Sequence, residues 1–300
     1  MKGITLRKLF ICMNLVLALV ACGKSGDGKN KNEELADLTL QAELLQSVGN
    51  TEQLKKVLAK KPNINFQAQR TDLFEADFPS GCQGYTPIHW AVLNHETNLE
   101  NIKLLVDAGA DPTLFRKEVI TNGNNSSNMF SAIHETIVHF GDDTDTLIQR
   151  KNKILKYFIA SGFNIDQPNP EHINVWGDKD GGDTPLLLSV KGNDWEGFTT
   201  LFQAGANPNI HNSRGETIWN SGVVTQPEIM KQLLKYGQEK NVRLEIDFKD
   251  YKNHKSGLDI LNFKFQQYLD AKVDPLPEDF NSCFNTGKEI YEHNKKFPVQ

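Results

Sequence analysis

Two histidines and a glutamate lie close together in the segment from His134 to His139, and such residues can bind zinc. Zinc-dependent proteases place two histidines four residues apart on one helix face, with a glutamate as the general base. The histidines here are five residues apart, so a helix would turn one away from the other by more than about a third of a circle. The sequence therefore predicts no zinc site in this segment.

Two other segments contain residue types that bind calcium or phosphate, but in the wrong order. In the acidic run that starts at Asp178, Gly182 and Asp183 stand where a calcium loop needs an oxygen ligand and then a glycine. The run 286–288 resembles the end of a phosphate-binding loop, but Ser282 replaces its earlier glycine. We therefore expect no metal, no cofactor and no catalytic centre, although a catalytic set scattered along the sequence would escape a search by spacing.

The elements that would position functional residues are short helices joined in pairs. Thr86 can cap a helix that begins at Pro87, since threonine accepts a bond from a free N–H and proline needs no partner at the first position. Gly109 can end a second helix in the left-handed conformation, which glycine adopts without strain. Each helix has one apolar face. A pair this small cannot bury that face alone and needs neighbours of the same kind.

The same pattern recurs along the chain. Thr184 begins a second good copy, and Thr217 begins another 33 residues later (217 − 184 = 33), which is a typical repeat length. Two weaker copies begin near Ser131 and near Leu40, and the copy at Leu40 lacks the polar cap. The sequence therefore predicts a stack of helical repeats.

These residues resemble the ankyrin repeat. Residues 86–91 match its T-P-L-H-x-A opening, and residues 109–111 and 205–207 match its closing turn. The resemblance covers about residues 38–236, with an atypical last unit near 257–269, and Leu187 and Asn220 depart from the family by replacing its histidine. The resemblance implies an all-α ankyrin-repeat solenoid of about five to six helix-turn-helix units with elongated finger loops. In this family the histidines, here His89 and His134, have a structural role.

The N-terminal segment resembles the signal of a bacterial lipoprotein. Three basic residues precede an apolar run from Leu9 to Val20 that is too short for a confident membrane span. The following Leu19-Val20-Ala21-Cys22 resembles a lipobox, in which the cysteine is acylated and becomes the first residue of the mature chain. The resemblance implies lipidation at Cys22 and a periplasmic protein anchored in the outer membrane, a choice favoured by Gly23. An ordinary signal peptide or a buried helix is the alternative.

These patterns divide the chain into four predicted parts: a signal peptide at 1–21, a flexible tether at 22–37, an ankyrin-repeat domain at 38–275, and a C-terminal cap or tail at 276–300. A net charge of −5 with 38% hydrophobic and 24% charged residues is ordinary for a globular chain. It gives no reason to expect nucleic acid and favours a basic partner. Cys82 and Cys283 are predicted to be unpaired, unless the tail folds back and brings them together.

The repeats carry extra residues in three fingers, and these fingers contain large side chains. Aromatic residues and arginine supply the contact area that an interface centre needs, and acidic residues can steer a basic partner. A long loop with its own aromatic residues is more often functional than not. The alternative is that these side chains fold back onto the stack. The predicted partner-binding residues are Leu73, Phe74, Glu75, Asp77, Phe78, Leu114, Phe115, Arg116, Trp176, Asp178 and Asp180.

A membrane-anchored ankyrin protein outside the cytoplasm resembles the immunity lipoproteins that protect bacteria from the toxins of rival cells. The resemblance implies a protein partner, such as a toxin or a phospholipase effector enzyme, whose active or membrane-docking surface the fingers cover. Two alternatives stay open at this point. One is a scaffold or stress-protection protein of the envelope, and the other is an enzyme with a scattered site.

Overall fold

A computed structural model of the chain describes residues 31–68, 84–116, 129–138, 145–173 and 177–297. The chain divides into two compact units, Met1–Gly123 and Asn124–Gln300. Both are built from helical pairs joined by turns, so the predicted all-α ankyrin-repeat fold is confirmed. Within the described residues, no helix is both long enough and apolar enough to cross a membrane.

The described part of the first unit contains two helical pairs. Within each pair the helices pack against each other, and α1 and α2 also pack on α3 and α4 of the next pair. The helices are α1 (Lys31–Ser47), α2 (Thr51–Leu58), α3 (Pro87–Leu93) and α4 (Leu99–Asp107).

Helix α1 begins earlier than the sequence predicted. It starts at Lys31, inside the segment 22–37 that was predicted to be a flexible tether, and Leu40 lies within the helix rather than at its start. The segment is rich in glutamate, leucine and alanine, which favour a helix more strongly than its polarity favours a tether. The tether prediction therefore remains only for residues 22–30, which lie outside the described residues.

In the second unit, the residues that the structure describes form three short inner helices, their outer partners, a small hairpin and a final helical pair. The elements are α5 (Ala132–Glu135), α6 (Asp145–Ala160), β1 (His172–Ile173), β2 (Lys179–Asp180), α7 (Pro185–Lys191), α8 (Trp195–Gln203), α9 (Ile218–Ser221), a 3₁₀ turn (Val223–Thr225), α10 (Pro227–Lys240), α11 (Gly257–Asp270) and α12 (Glu278–Asn294).

Caps begin these helices as the sequence predicted. The Thr184 hydroxyl accepts a bond from the Leu187 N–H at the start of α7, and Thr217 caps α9. At α9 the Asn220 side chain accepts from the Thr217 N–H at 2.8 Å, so this amide performs the capping task that a histidine performs in other repeats. Asn220 is therefore a functional replacement for the family histidine.

Asparagine side chains join the turns of neighbouring repeats. In the first unit, Asn65 donates to the Gly109 carbonyl at 2.9 Å and accepts from the Asp111 N–H at 2.9 Å. In the second unit, Asn209 donates to the Arg243 carbonyl at 2.7 Å and accepts from the Glu245 N–H at 3.2 Å. Each amide thus satisfies one donor and one acceptor of the next turn, so these backbone groups need no other partner.

The C-terminal tail, whose packing the sequence left open, forms the outer helix of the last pair. Helix α12 packs on α10 and α11. Its last turn is fixed by polar contacts, because Asn294 accepts from the Leu244 N–H at 2.9 Å and a ring nitrogen of His293 lies 2.9 Å from the Val242 carbonyl. Cys283 is buried in this helix and pairs with no cysteine among the described residues. Cys82 lies outside them.

A tryptophan fills the core where the last two inner helices meet. Trp219 is fully buried, whereas Trp195 is half-buried. The first helical position of α11 is Gly257, where an added Cβ would lie 2.9 Å from Val224 Cγ1 and 3.1 Å from Trp219 Cβ. The glycine therefore allows α11 to approach the large side chain.

We predict that Gly257→Ala lowers the free energy of unfolding by about 1–3 kcal/mol, because the extra methyl group overpacks this contact. Urea denaturation at neutral pH measures the change. A decrease below about 0.5 kcal/mol, the usual range of a surface substitution, would show that α11 can move away from Trp219 freely.

Candidate functional site

The first finger leaves the stack between two paired backbone positions. The Ala68 N–H donates to the Tyr85 carbonyl at 2.9 Å, and the Gly84 N–H donates to the Ala68 carbonyl at 2.8 Å. Residues 69–83 lie outside the described residues, and with them lie the predicted binding residues Leu73, Phe74, Glu75, Asp77 and Phe78. The structure thus describes the base of this finger, and the roles of its side chains stay predictions.

The second predicted group lies at the base of the first finger. Leu114, Phe115 and Arg116 are half-buried. The Gln67 side chain donates to the Phe115 carbonyl at 2.8 Å. The Arg116 guanidinium lies 5.0 Å from the centre of the Tyr85 ring and donates to the Tyr85 hydroxyl. Arginine above an aromatic ring is a favourable cation–π contact, so Arg116 is held within its own unit.

The third finger is a hairpin in the second unit. Its base is a pair of bonds, from the Asn169 N–H to the Asp183 carbonyl and from the Gly182 N–H to the Asn169 carbonyl, both 2.9 Å. Above the base, β1 and β2 pair antiparallel, with His172 opposite Asp180. The predicted binding residue Trp176 lies outside the described residues, and its role stays a prediction.

The two acidic binding residues predicted in this finger pair with basic side chains of later repeats. Asp180 lies 3.0 Å from Arg214, and Asp178 lies 3.2 Å from Lys252. Sequence reasoning missed these partners because they are 34 and 74 residues away (214 − 180 = 34; 252 − 178 = 74). Their role in partner binding stays a prediction, but Asp180 joins this finger to the next one and Asp178 joins it to the finger after that.

A compact network of charges lies below the hairpin. Lys191 contacts both Asp183 and Glu216 at 2.7 Å, and Arg214 contacts Glu216 at 3.0 Å. Asn212 donates to Asp183 at 2.8 Å. Burial alone would raise the pKa of Glu216, but the hydrogen bonds from Lys191 and Arg214 outweigh it and lower the pKa to about 2. Glu216 therefore stays ionised at neutral pH.

Backbone hydrogen bonds connect the successive fingers of the second unit. The Ser213 N–H donates to the Gly181 carbonyl at 3.1 Å, and the Tyr251 N–H donates to the Arg214 carbonyl at 2.8 Å. Gly181 has a φ of +90°, and a Cβ there would lie 2.2 Å from the Pro170 carbonyl oxygen. We call the described residues of these three connected fingers, 169–173 with 177–183, 212–216 and 249–255, the finger row. The row is fixed by bonds that do not depend on a partner.

His134 joins the row to the helices, as expected of a structural histidine. One ring nitrogen lies 2.7 Å from the Ser131 hydroxyl and the other lies 3.2 Å from the Asp183 carbonyl. Complete burial lowers the pKa of His134 to about 4, against hydrogen bonds that would raise it. His89 similarly lies 2.7 Å from the Thr86 hydroxyl. Among the described residues no group of three metal-ligating side chains comes together, and His139 lies outside them.

Sequence reasoning also missed an exposed aromatic residue in the last finger of the row. Tyr251 is 55% exposed, and its ring lies edge-on to Phe248 and His211, with centres 6.1 and 6.0 Å apart. The segment has no ankyrin motif that would have indicated a finger here. Its lysine, tyrosine and histidine residues were the sequence feature that could have indicated a binding finger.

Comparison with known proteins supports the repeat assignment locally. Residues 83–116 match the ankyrin repeat family. A fowlpox virus protein named as an ankyrin repeat protein is 31% identical over 121 residues, which is 38% of this chain and 34% of that protein. The chain thus matches about a third of the length of this curated relative.

Two solved structures are similar to the chain at 17% sequence identity. One is a chain in the complex of a predatory endopeptidase from Bdellovibrio bacteriovorus with an immunity protein, with a TM-score of 0.47 over 83% of this chain and 97% of that one. The other is an ankyrin repeat protein, with a TM-score of 0.48 over 79% of this chain and 98% of that one.

We predict that the stability supplied by His134 depends on pH. The folded protein holds the ring neutral with a pKa of about 4, whereas the unfolded chain binds a proton near pH 6.5. The contribution is complete above pH 6.5 and is lost as the pH falls to about 4, a total of about 3 kcal/mol. His134→Asn follows the arrangement at Asn220 and cannot titrate. The difference in unfolding free energy between wild type and variant should therefore shrink by that amount between pH 7.5 and 4, and a constant difference in urea denaturation would contradict this.

We also predict that Lys191→Met lowers the unfolding free energy by roughly 1–3 kcal/mol, because it removes the cation between the buried carboxylate of Asp183 and the half-buried carboxylate of Glu216. Lys156→Met is the control, since Lys156 forms an exposed pair with Glu196 at 3.9 Å and such pairs contribute less than about 1 kcal/mol. Hydrogen exchange at the Asn169 and Gly182 amides measures the local effect. Equal exchange in both variants would show that the network does not fix the hairpin.

Proposed function

We propose that this chain is a membrane-anchored immunity protein of the periplasm, which neutralises an antibacterial toxin by binding it. The ankyrin repeat is a protein-binding module, and its fold is typically a non-enzymatic scaffold. The observation that carries the proposal is the finger row, in which backbone bonds and an ion network fix three loops before any partner arrives. A preorganised surface loses little conformational entropy on binding.

The proposed location rests on the N-terminal sequence. A basic start, a short apolar run and the lipobox ending at Cys22 are the features of an exported lipoprotein. Acyl chains on Cys22 would hold the mature protein at a membrane, and the residue after the cysteine, Gly23, favours the outer membrane. Residues 22–30 would connect the anchor to α1. An enzyme that attacks the envelope would then meet its inhibitor where it acts.

In the proposed mechanism the fingers cover the active cleft or the membrane-docking surface of the toxin. The large side chains of the first and third fingers, chiefly Phe74, Phe78 and Trp176, would enter pockets of the partner. Buried aromatic anchors slow dissociation, and most differences in affinity between related complexes arise in the dissociation rate. The chain itself performs no chemistry in this mechanism.

The test is protection of living cells. Exported antibacterial enzymes from the same genome, including phospholipases, are produced one at a time in the periplasm of a sensitive bacterium, with and without this chain. We expect one enzyme to be neutralised, so that colony counts rise by orders of magnitude when this chain is present. Protection from none of them would contradict the immunity function.

Three variants separate the parts of the mechanism. Cys22→Ser should move the chain from the membrane fraction to the soluble fraction, and unchanged fractionation would contradict the lipid anchor. The triple change of Phe74, Phe78 and Trp176 to Ala should abolish protection. Tyr291→Ala, an exposed aromatic residue on α12 outside the fingers, is its control and should protect like wild type. Protection by the triple variant would remove the finger mechanism while leaving the immunity function.

A further inference from the structure

The last finger of the row, residues 249–255, presents basic side chains to solvent. The side chains of Lys249 and Lys252 are 59% and 65% exposed, and His254 and Lys255 are also exposed. The chain as a whole has a net charge of −5. A basic finger is therefore a local departure from the average surface.

The one acidic residue within this finger is buried, so it does not neutralise the exposed lysines. Asp250 is 5% exposed. Its carboxylate accepts from three backbone N–H groups of the same loop: from Lys252 at 3.0 Å, Asn253 at 2.5 Å and Lys255 at 3.3 Å. Asp250 thus fixes the backbone of the loop from its buried side, and the lysine side chains remain at the surface.

Two neighbouring carboxylates face the lysines at the surface. Lys249 lies 3.8 Å from Asp259, and Lys252 lies 3.2 Å from Asp178. Lys255 has no carboxylate within 4 Å among the described residues, and its ammonium lies 5.8 Å from the centre of the Phe263 ring instead. An ammonium group has three donors, so Lys249 and Lys252 can each bind a carboxylate of a partner while they keep their contacts with Asp259 and Asp178.

Two exposed aromatic rings lie among these lysines. Phe263, on the same helix as Asp259, is 62% exposed, and Tyr251 is 55% exposed. The Tyr251 ring rests on Gly215, where an added Cβ would lie 2.9 Å from a ring carbon. The Tyr251 ring therefore has a fixed neighbour, and both rings offer a large contact area with little entropy to lose.

We propose that Lys249, Tyr251, Lys252, Lys255 and Phe263, which we call the finger–helix patch, bind an acidic surface of a protein partner that surrounds an apolar centre. This inference rests on the proposed function as a protein-binding module and specifies its partner. The overall charge of the chain favoured a basic partner, whereas this patch requires an acidic one. The difference arises because Asp178, Asp180 and Asp250 are all occupied within the finger row.

An anionic membrane is the competing partner for lysines and aromatic rings, and the geometry favours the protein. Peripheral membrane binding uses a continuous apolar face that enters the lipid. Here one side of the Tyr251 ring contacts Gly215, and the ring borders Phe248 and His211. The Phe263 ring has the ammonium of Lys255 over its face. Separate rings between charges match the apolar centre and polar rim of a protein interface.

The test uses the mature chain with Cys22→Ser, so that it is soluble, in a selection from a random twelve-residue peptide library displayed on phage. We expect the enriched peptides to combine aspartate or glutamate with apolar residues. The most enriched peptide is then synthesised, and its Kd is measured by fluorescence anisotropy. The triple change of Lys249, Lys252 and Lys255 to Glu should weaken binding at least tenfold, and Tyr251→Ala with Phe263→Ala should do the same.

The matched control is the change of Lys231, Lys235 and Lys240 to Glu on α10. These lysines are exposed, and the net charge changes equally, so binding within threefold of wild type is expected. Circular dichroism checks that each variant is folded. Enrichment of neutral or basic peptides, no enrichment, or equal weakening in both triple variants would overturn the proposal. Loss of binding to phosphatidylglycerol vesicles in the patch variant alone, without peptide binding, would assign the patch to lipid instead.

The result can be separated from that of the immunity function. Cell protection depends on one toxin, whereas peptide selection depends only on the chemistry of the patch. Protection without acidic peptides would leave the immunity function and remove this patch. Acidic peptides without protection would leave the patch and remove the immunity function.

Discussion

The stacking of one helical pair on the next is the constraint on which the rest of the structure depends. Several inner helices are only one or two turns long, since α5 and α9 have four residues each. Helices of this length are unstable alone. They persist because their neighbours cover the apolar face, and buried residues such as Ile133, Leu187 and Trp219 provide that contact in successive repeats.

Polar contacts then determine how each repeat is placed on the one before it. Apolar burial has no preferred direction, whereas a buried hydrogen bond has. His134 reaches the Asp183 carbonyl at the base of the third finger, and Asn209 fixes both polar groups of the turn at Arg243 and Glu245. Leaving such groups unpaired would cost about 1–3 kcal/mol each. These bonds therefore fix the position of the fingers relative to the stacked helices.

The parts that could be predicted from the sequence are those set by neighbours along the chain. Thr184 and Thr217 cap helices because a hydroxyl needs only the next turn. The predicted start of α1 was wrong, because a charged segment is compatible with either a flexible tether or a helix. The partners of Asp178 and Asp180 could not be predicted, because repeats of similar length bring Arg214 and Lys252 beside them only after stacking.

The same stacking explains why net charge is a poor guide to the binding surface. An acidic chain with fixed repeats still places each side chain according to its finger, and the finger row uses four carboxylates, those of Asp178, Asp180, Asp183 and Glu216, to join its own loops. Carboxylates held this way are neutralised locally and contribute little to attraction over longer distances. A partner then meets only the charged side chains that are not paired within this network. In the last finger of the row the remainder is positive, because the lysines there outnumber the carboxylates that reach the surface.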